Sequence, residues 1–176
     1  MLNKVKRSIK LVLPKYQKLI LDYPITMKPR YGYGLKPHPI LYDIVNREVE
    51  VYKKFINEIL KFEDVFKSIK SKELESNENL PSWNNGYLPG LDIVTLYTMM
   101  AYFKPKNYIE VGSGNSTKVA KKSILDNNLS TEITSIDPFP RANIDHLSDV
   151  VIRQPFENLN DYSYIVNKLG GGYSFC

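Results

Sequence analysis

The sequence predicts an α/β fold in which a partial parallel sheet of about three strands, with helical crossovers, follows an α-helical N-terminal region. Two observations predict the sheet. Short apolar runs alternate with helical patterns over residues 108–169, and a glycine loop separates the first run from the helical pattern after it. A third observation predicts the helical region, because apolar residues upstream of residue 104 recur at steps of three, four and seven.

The N-terminal elements follow from this spacing. We predict a short helix over residues 1–20, broken near Pro14. The apolar spacing from Leu41 to Ile69 predicts a longer helix. Residues 71–80 are rich in Ser, Lys, Glu and Asn, a composition that predicts a linker.

We place a domain boundary at this linker, so that residues 1–80 hold a basic arm with helices and residues 81–176 hold the sheet. The second domain begins with a helix predicted from Leu91 to Phe103, with Asp92 in its first turn, where a carboxylate suits the helix dipole. The later elements are predicted as strand 108–111, helix 115–128, strand 132–137, strand 149–153 and helix 157–169.

Composition places the chain among ordinary globular proteins, since its 176 residues are 43% hydrophobic and 24% charged. Cys176 is the only cysteine, so no intramolecular disulfide can form. No run of about 18 apolar residues is present to span a membrane. We expect a cytoplasmic protein.

The net charge of +5 is concentrated near the N-terminus, where residues 1–40 hold nine Lys or Arg against the single acid Asp22. A basic arm attracts nucleic acid, anionic lipid or phosphorylated molecules. These basic residues lack the interleaved aromatic residues of a single-strand binding face, so the sequence favours a solvated terminus over a nucleic-acid partner.

The glycine loop is the most informative segment. An apolar run reaches Glu110 and passes into the loop Gly112–Gly114, where glycines adopt conformations that a Cβ obstructs and let a ligand approach the backbone. Asn115 and Ser116 are expected to cap the helix that follows.

A second apolar run ends at Asp137, 23 residues after Gly114, where nucleotide-binding folds place a carboxylate for the ribose hydroxyls. A P-loop is excluded because Lys118 follows Thr117 and not a glycine. A dinucleotide site is disfavoured because Thr117 takes the third glycine position and Glu110 would repel a pyrophosphate. A cationic ligand such as S-adenosylmethionine suits this acidic strand end.

Residues 110–117 and the run Ser135-Ile136-Asp137-Pro138 resemble the first two motifs of the class I S-adenosylmethionine-dependent methyltransferases. Residues 83–92 and 30–34 are similar to one bacterial branch of that family, and the resemblance spans residues 22–168. It implies a Rossmann-like fold, S-adenosyl-L-methionine as cofactor, and a small-molecule or sugar acceptor with a hydroxyl or amine group.

The resemblance also implies residue roles. The loop Gly112–Gly114, which includes Ser113, would pack against the methionine part of the cofactor, and Glu110 would lie near its amino acid moiety. Asp137 would bind the ribose hydroxyls. Asn115 and Ser116, at the start of the helix, complete the expected cofactor site.

A complete sheet of that family has more strands than the three counted here, in the spatial order 3-2-1-4, and its fourth strand would begin near residue 172. We therefore expect a truncated chain whose first strand, Tyr108–Val111, has an unpaired inner edge. Such an edge suits a second copy of this chain or another chain that completes the sheet.

Two residues are candidates for catalysis: His38, in a proline-flanked loop, and Asp92, at a helix start. Each has an alternative structural role, as a loop hydrogen-bond partner or as a partner of the helix dipole. No cluster of histidine, cysteine and carboxylate residues has metal-ligand spacing.

Two other functions stay open. A nicotinamide dinucleotide-binding oxidoreductase module would use Asp137 equally well for a ribose. A non-catalytic interaction protein would use the basic arm, and binding of nucleic acid to that arm would depend steeply on salt.

Overall fold

The computed structural model describes residues 28–140, 143–170 and 174–175. The chain forms two compact units, one that ends at Arg47 and one that begins at Glu48. The short helix predicted over residues 1–20 lies outside the described residues.

In the first unit, helix α1 spans Pro39–Asn46. It begins with a proline, whose fixed φ suits the first position of a helix and whose missing amide proton costs nothing there. The His38 side chain caps this helix, because its Nδ1 accepts a hydrogen bond from the Leu41 amide at 3.3 Å.

The second unit begins with two helices, α2 (Val49–Leu60) and α3 (Glu63–Ser68). The single helix predicted from Leu41 to Ile69 is therefore wrong in its length. At the break, the Lys61 and Phe62 amides bond three residues back, to the Glu58 and Ile59 carbonyls at 3.2 and 3.0 Å, so the chain tightens into a turn instead of continuing the helix. The rings of Phe62 and Phe66 both contact Tyr97 edge-on, with centroid distances of 5.3 and 5.4 Å.

Residues 71–80, predicted as a linker, form a loop within the second unit. Two backbone hydrogen bonds of 2.9 Å close its base, from the Lys72 amide to the Trp83 carbonyl and from the Trp83 amide to the Lys70 carbonyl. Helix α4 follows at Gly90–Phe103, which confirms the helix predicted from Leu91 to Phe103.

The sheet confirms the predicted α/β fold with parallel strands. Strands β1 (Asn107–Val111), β2 (Glu132–Ile136) and β3 (Val150–Ile152) pair in parallel. Helix α5 (Asn115–Asp126) connects β1 to β2, since parallel neighbours need a crossover. All four elements agree with their predicted bounds to within two residues at each end.

The last predicted helix begins later than expected. A 3₁₀ turn occupies Phe156–Asn158, and helix α6 spans Ser163–Gly170. The Asp161 carboxylate accepts a hydrogen bond from the Ser163 amide at 2.7 Å. This bond satisfies an amide that a helix start leaves without an intrahelical partner.

A fourth strand of two residues, β4 (Ser174–Phe175), pairs in parallel with Asn107 and Tyr108 and gives the order β3-β2-β1-β4. The prediction that the inner edge of β1 is unpaired is therefore wrong for these two residues. The short fourth strand covers only the start of β1, so among the described residues Ile109–Val111 pair with β2 alone.

Helices lie on both faces of the sheet, a partial Rossmann-like arrangement. Tyr108 packs with Met100 of α4 on one face, and Ile109 packs with Ile165 of α6 on the other. Because successive residues of a strand point to opposite faces, Glu110 shares the face of Tyr108 and is directed toward α5. Among the described residues, no helix combines the length and the apolar composition that a membrane crossing requires.

Candidate functional site

The glycine loop lies at the carboxyl end of β1, the edge at which open parallel sheets bind ligands. Gly112 has a φ of +86°, in the region that glycine adopts without strain. A Cβ built on Gly112 meets no atom of the described residues within 4 Å, so the space in front of it is open. Its amide donates to the Ile136 carbonyl at 2.8 Å, which fixes the loop to β2.

Asp137 follows β2 and holds the glycine loop from the side. Its Oδ2 accepts two hydrogen bonds from Ser113, at 2.8 Å from the amide and 3.2 Å from the hydroxyl. Its Oδ1 accepts one from the Phe139 amide at 2.9 Å. Because a carboxylate accepts about four hydrogen bonds, Asp137 keeps capacity for one more. The structure thus brings together the loop and the aspartate that the sequence singles out.

The surroundings of Asp137 favour its ionised form. Partial burial would raise the pKa of Asp137, but the hydrogen bonds from Ser113 and Phe139 and the charge of Arg153 together outweigh burial and lower it. Arg153 also donates from Nη1 to the Asp137 carbonyl at 2.8 Å and pairs with Asp145. Asp137 is therefore a negative carboxylate at neutral pH.

The start of α5 differs from the prediction. Gly114 precedes the helix, and neither Asn115 nor Ser116 caps it with a side chain. The Thr117 hydroxyl instead accepts a hydrogen bond from the Gly114 amide at 2.9 Å. The capping prediction is wrong because both side chains bond elsewhere, that of Asn115 to Asn85 at 3.1 Å and that of Ser116 to Glu110 at 2.8 Å.

Glu110 is buried, with 7% of its surface exposed. Its carboxylate accepts hydrogen bonds of 2.5 to 3.2 Å from the hydroxyl groups of Tyr108, Ser116, Thr117 and Ser135. The roles of Tyr108, Thr117 and Ser135 are not predicted from the sequence. Strand alternation could have indicated Tyr108, because residues two apart on a strand point to the same face and Tyr108 is two residues before Glu110. Ser135 lies opposite Glu110 only through the register of β1 and β2, which the sequence does not specify.

Acidification should stabilise the wild-type protein relative to a Glu110→Gln variant. Burial raises the pKa of Glu110 in the folded protein, and the hydroxyl donors offset only part of the rise. The folded state therefore takes up this proton at a higher pH than the unfolded chain, whose glutamate pKa is about 4.3. The resulting stabilisation is complete below that value and is lost as pH rises through the folded pKa.

Urea unfolding of both proteins between about pH 7 and pH 4.5 measures this effect. The difference in free energy of unfolding should move in favour of the wild type as pH falls. A difference that stays constant over this range would show that Glu110 titrates as it does in an unfolded chain.

A cavity of about 1000 Å³ opens in front of the glycine loop. Its first wall comprises Gly112–Gly114, the start of α5 and Asp137. Its second wall comes from the loop and turn that precede α4, with the lining residues Lys72, Glu75, Asn77, Glu78, Leu80, Ser82, Asn85, Tyr87 and Leu88. Ser116 lines the cavity, whereas Glu110, to which it donates, is not among the described lining residues.

Asn85 organises the second wall and joins it to the first. Its side-chain nitrogen donates to the Ser82 and Leu88 carbonyls at 2.9 and 3.1 Å, and its oxygen accepts from two backbone amides of the same turn. That oxygen also accepts from the Asn115 side chain at 3.1 Å. The role of Asn85 is not predicted from the sequence, although the Asn-Asn-Gly run at 84–86 is a turn signal.

The two candidate catalytic residues both lie at helix starts. Asp92 is in the first turn of α4 and is not among the described residues that line the cavity. His38 belongs to the first unit, where it caps α1. In the described part of the chain, no group of three or more histidine, cysteine or carboxylate side chains is placed to hold a metal ion.

Comparison of the chain with protein-family models, with curated proteins and with solved structures finds no match.

Proposed function

We propose that this chain is an S-adenosyl-L-methionine-dependent methyltransferase and that the cavity in front of the glycine loop is its cofactor site. The strongest support is that all three backbone amides of the glycine loop already donate hydrogen bonds to other groups of the protein. The amide of Gly112 donates to Ile136, that of Ser113 to Asp137 and that of Gly114 to Thr117. Phosphate-binding loops direct such amides at the ligand. Here all three are already engaged, which disfavours a pyrophosphate.

Charge favours the same cofactor. Ionised Asp137 lies within hydrogen-bond distance of the loop at Ser113, which places a negative charge at this edge of the sheet. S-adenosylmethionine carries a sulfonium and an ammonium group, and neither is repelled by this carboxylate.

The residues present fit this cofactor. The open space in front of Gly112 admits a ligand close to the backbone. Asp137 keeps one acceptor position, which suits a ribose hydroxyl. When bound, the cofactor supplies a methyl group on a positively charged sulfur. The cavity walls would orient that group toward the acceptor and exclude water.

The second wall supports a small polar acceptor. Lys72, Glu75, Asn77 and Glu78 line it, and the Glu75 carboxylate accepts from the Asn77 amide at 2.9 Å, which orders this part of the loop. Carboxylate and amide groups are partners for hydroxyl and amine groups. The cavity volume of about 1000 Å³ leaves room for an acceptor beside the cofactor.

Calorimetric titration of the full chain is expected to show binding of S-adenosylhomocysteine and none of NADH. S-adenosylhomocysteine keeps the adenine, ribose and amino acid parts of the cofactor and has no phosphate. NADH carries a pyrophosphate, for which the loop amides are not available. Circular dichroism on the same sample reports whether the chain is folded.

Either of two results would overturn the proposal. Preferential binding of NADH would replace it by a nicotinamide dinucleotide-binding oxidoreductase module, in which Asp137 serves a ribose equally well. A folded chain that binds neither ligand would mean that this cavity is not a nucleotide site.

A further inference from the structure

We propose that Glu110 is a positioning residue, which holds the glycine loop from inside the fold and makes no contact with the cofactor. This inference rests on the proposed function and deepens it. The family resemblance implies instead that Glu110 lies near the amino acid moiety, where a carboxylate would accept a hydrogen bond from the ammonium group.

The acceptor capacity of Glu110 is filled by the protein itself. Its Oε1 accepts from the Thr117 and Ser135 hydroxyls, and its Oε2 accepts from the Ser116 and Tyr108 hydroxyls. A carboxylate offers about four acceptor positions, so each hydroxyl takes one. A ligand ammonium could reach Glu110 only by displacing one of these donors.

Glu110 also lies behind the cavity wall. It is buried, while Ser116, which donates to it at 2.8 Å, lines the cavity. The Ser116 side chain therefore borders both the carboxylate and the space that a ligand would fill.

A chain of two hydrogen bonds connects Glu110 to the glycine loop. The Gly114 amide donates to the Thr117 hydroxyl at 2.9 Å, and that hydroxyl donates to Oε1 of Glu110. A hydroxyl has one proton, so its donation to Glu110 leaves its lone pairs for Gly114. The carboxylate thus orients Thr117, and Thr117 fixes the loop backbone.

The same carboxylate joins segments that are distant in sequence. Ser135 lies opposite it on β2, and the Ser135 hydroxyl is 2.7 Å from the Ser148 hydroxyl, just before β3. Glutamine cannot reproduce this network. Its single carbonyl oxygen accepts about two hydrogen bonds, and its amide nitrogen only donates. Two of the four hydroxyl groups would therefore have to accept a hydrogen bond instead of donating one.

The first test compares two ligands on the wild type and on Glu110→Gln by calorimetry. S-adenosylhomocysteine carries the ammonium group, whereas its deamino analogue lacks only that group and keeps the adenine, ribose, thioether and carboxylate. If Glu110 positions the loop, the variant loses affinity for both ligands by the same factor, about tenfold for one hydrogen bond. A loss confined to S-adenosylhomocysteine would overturn the inference, because it would reveal a direct contact with the ammonium.

The second test needs no ligand. Hydrogen exchange of the Gly114 amide, followed by NMR on the free chain, should become about tenfold faster in Glu110→Gln. Thr117→Val removes the hydroxyl, keeps the side-chain shape and should accelerate exchange as well. Thr117→Ser restores the hydroxyl and should return the exchange rate to that of the wild type.

These readouts separate the two proposals. If the wild type binds neither ligand, the proposed function fails, and the exchange rates of Gly114 still decide the role of Glu110. Unchanged exchange in Glu110→Gln or in Thr117→Val would overturn the positioning role even in a chain that binds S-adenosylhomocysteine.

Discussion

Replacement of Gly112 by valine is expected to abolish detectable binding of S-adenosylhomocysteine and to lower the free energy of unfolding by about 1–3 kcal/mol. Gly112 has a φ of +86°, where a β-branched residue is strained because its Cβ crowds the backbone. The loop can relieve this strain only by moving, which weakens the hydrogen bond from the Gly112 amide to Ile136. The added side chain also enters the open space that a ligand needs. Calorimetry and urea unfolding measure the two effects.

Two matched variants separate strain from ligand exclusion. Gly34 has a φ of +83° and equally open space for a Cβ but is not among the described residues that line the cavity, so Gly34→Val should leave the affinity for S-adenosylhomocysteine unchanged. Gly114 has a φ of 169°, outside the strained region, so Gly114→Ala should keep the free energy of unfolding within about 0.5 kcal/mol of wild type. Full binding by a folded Gly112→Val protein would show that the loop is not part of the ligand site.

The sheet could be predicted from the sequence because its signals are local. Each strand is a short apolar run with turn residues after it, and α5 follows directly from the glycine loop. The break between α2 and α3 could not be predicted, because the apolar spacing continues across it and no glycine or proline marks it. The late start of α6 follows a separate 3₁₀ turn at Phe156–Asn158, a change in backbone geometry that apolar periodicity does not register.

The same distinction applies to the site. Gly112 and Asp137 could be identified because the sequence shows a glycine loop after one predicted strand and a carboxylate at the end of the next, at the spacing of a nucleotide site. The burial of Glu110 could not, because its hydroxyl donors come from β1, β2 and α5 and meet only in the folded sheet. Asn85 was missed for the same reason, since its bond to Asn115 joins segments 30 residues apart.

Replacement of Asp137 by alanine is expected to weaken binding of S-adenosylhomocysteine by about 1.5–3 kcal/mol, the range for a lost hydrogen bond to a charged group. Asp149→Ala is the matched control. The Asp149 carboxylate accepts a hydrogen bond from the Ile133 amide at 2.7 Å, comparable to the bond between Asp137 and Ser113, but Asp149 is not among the described lining residues. It should lower stability and leave affinity unchanged, as calorimetry and urea unfolding can measure.

Asp137 also accepts a hydrogen bond from the Ser113 amide, so removal of its carboxylate could weaken binding indirectly, through the loop. A comparison of two nucleosides separates this effect from a direct contact with the ribose. The wild type should prefer adenosine over 2′,3′-dideoxyadenosine in NMR titrations, and Asp137→Ala should have lost that preference. If the variant keeps the preference, another residue binds the ribose and Asp137 only supports the loop. Both acids of the motif, Glu110 and Asp137, would then act on the loop backbone, and the ligand would be recognised by that backbone and by the second wall.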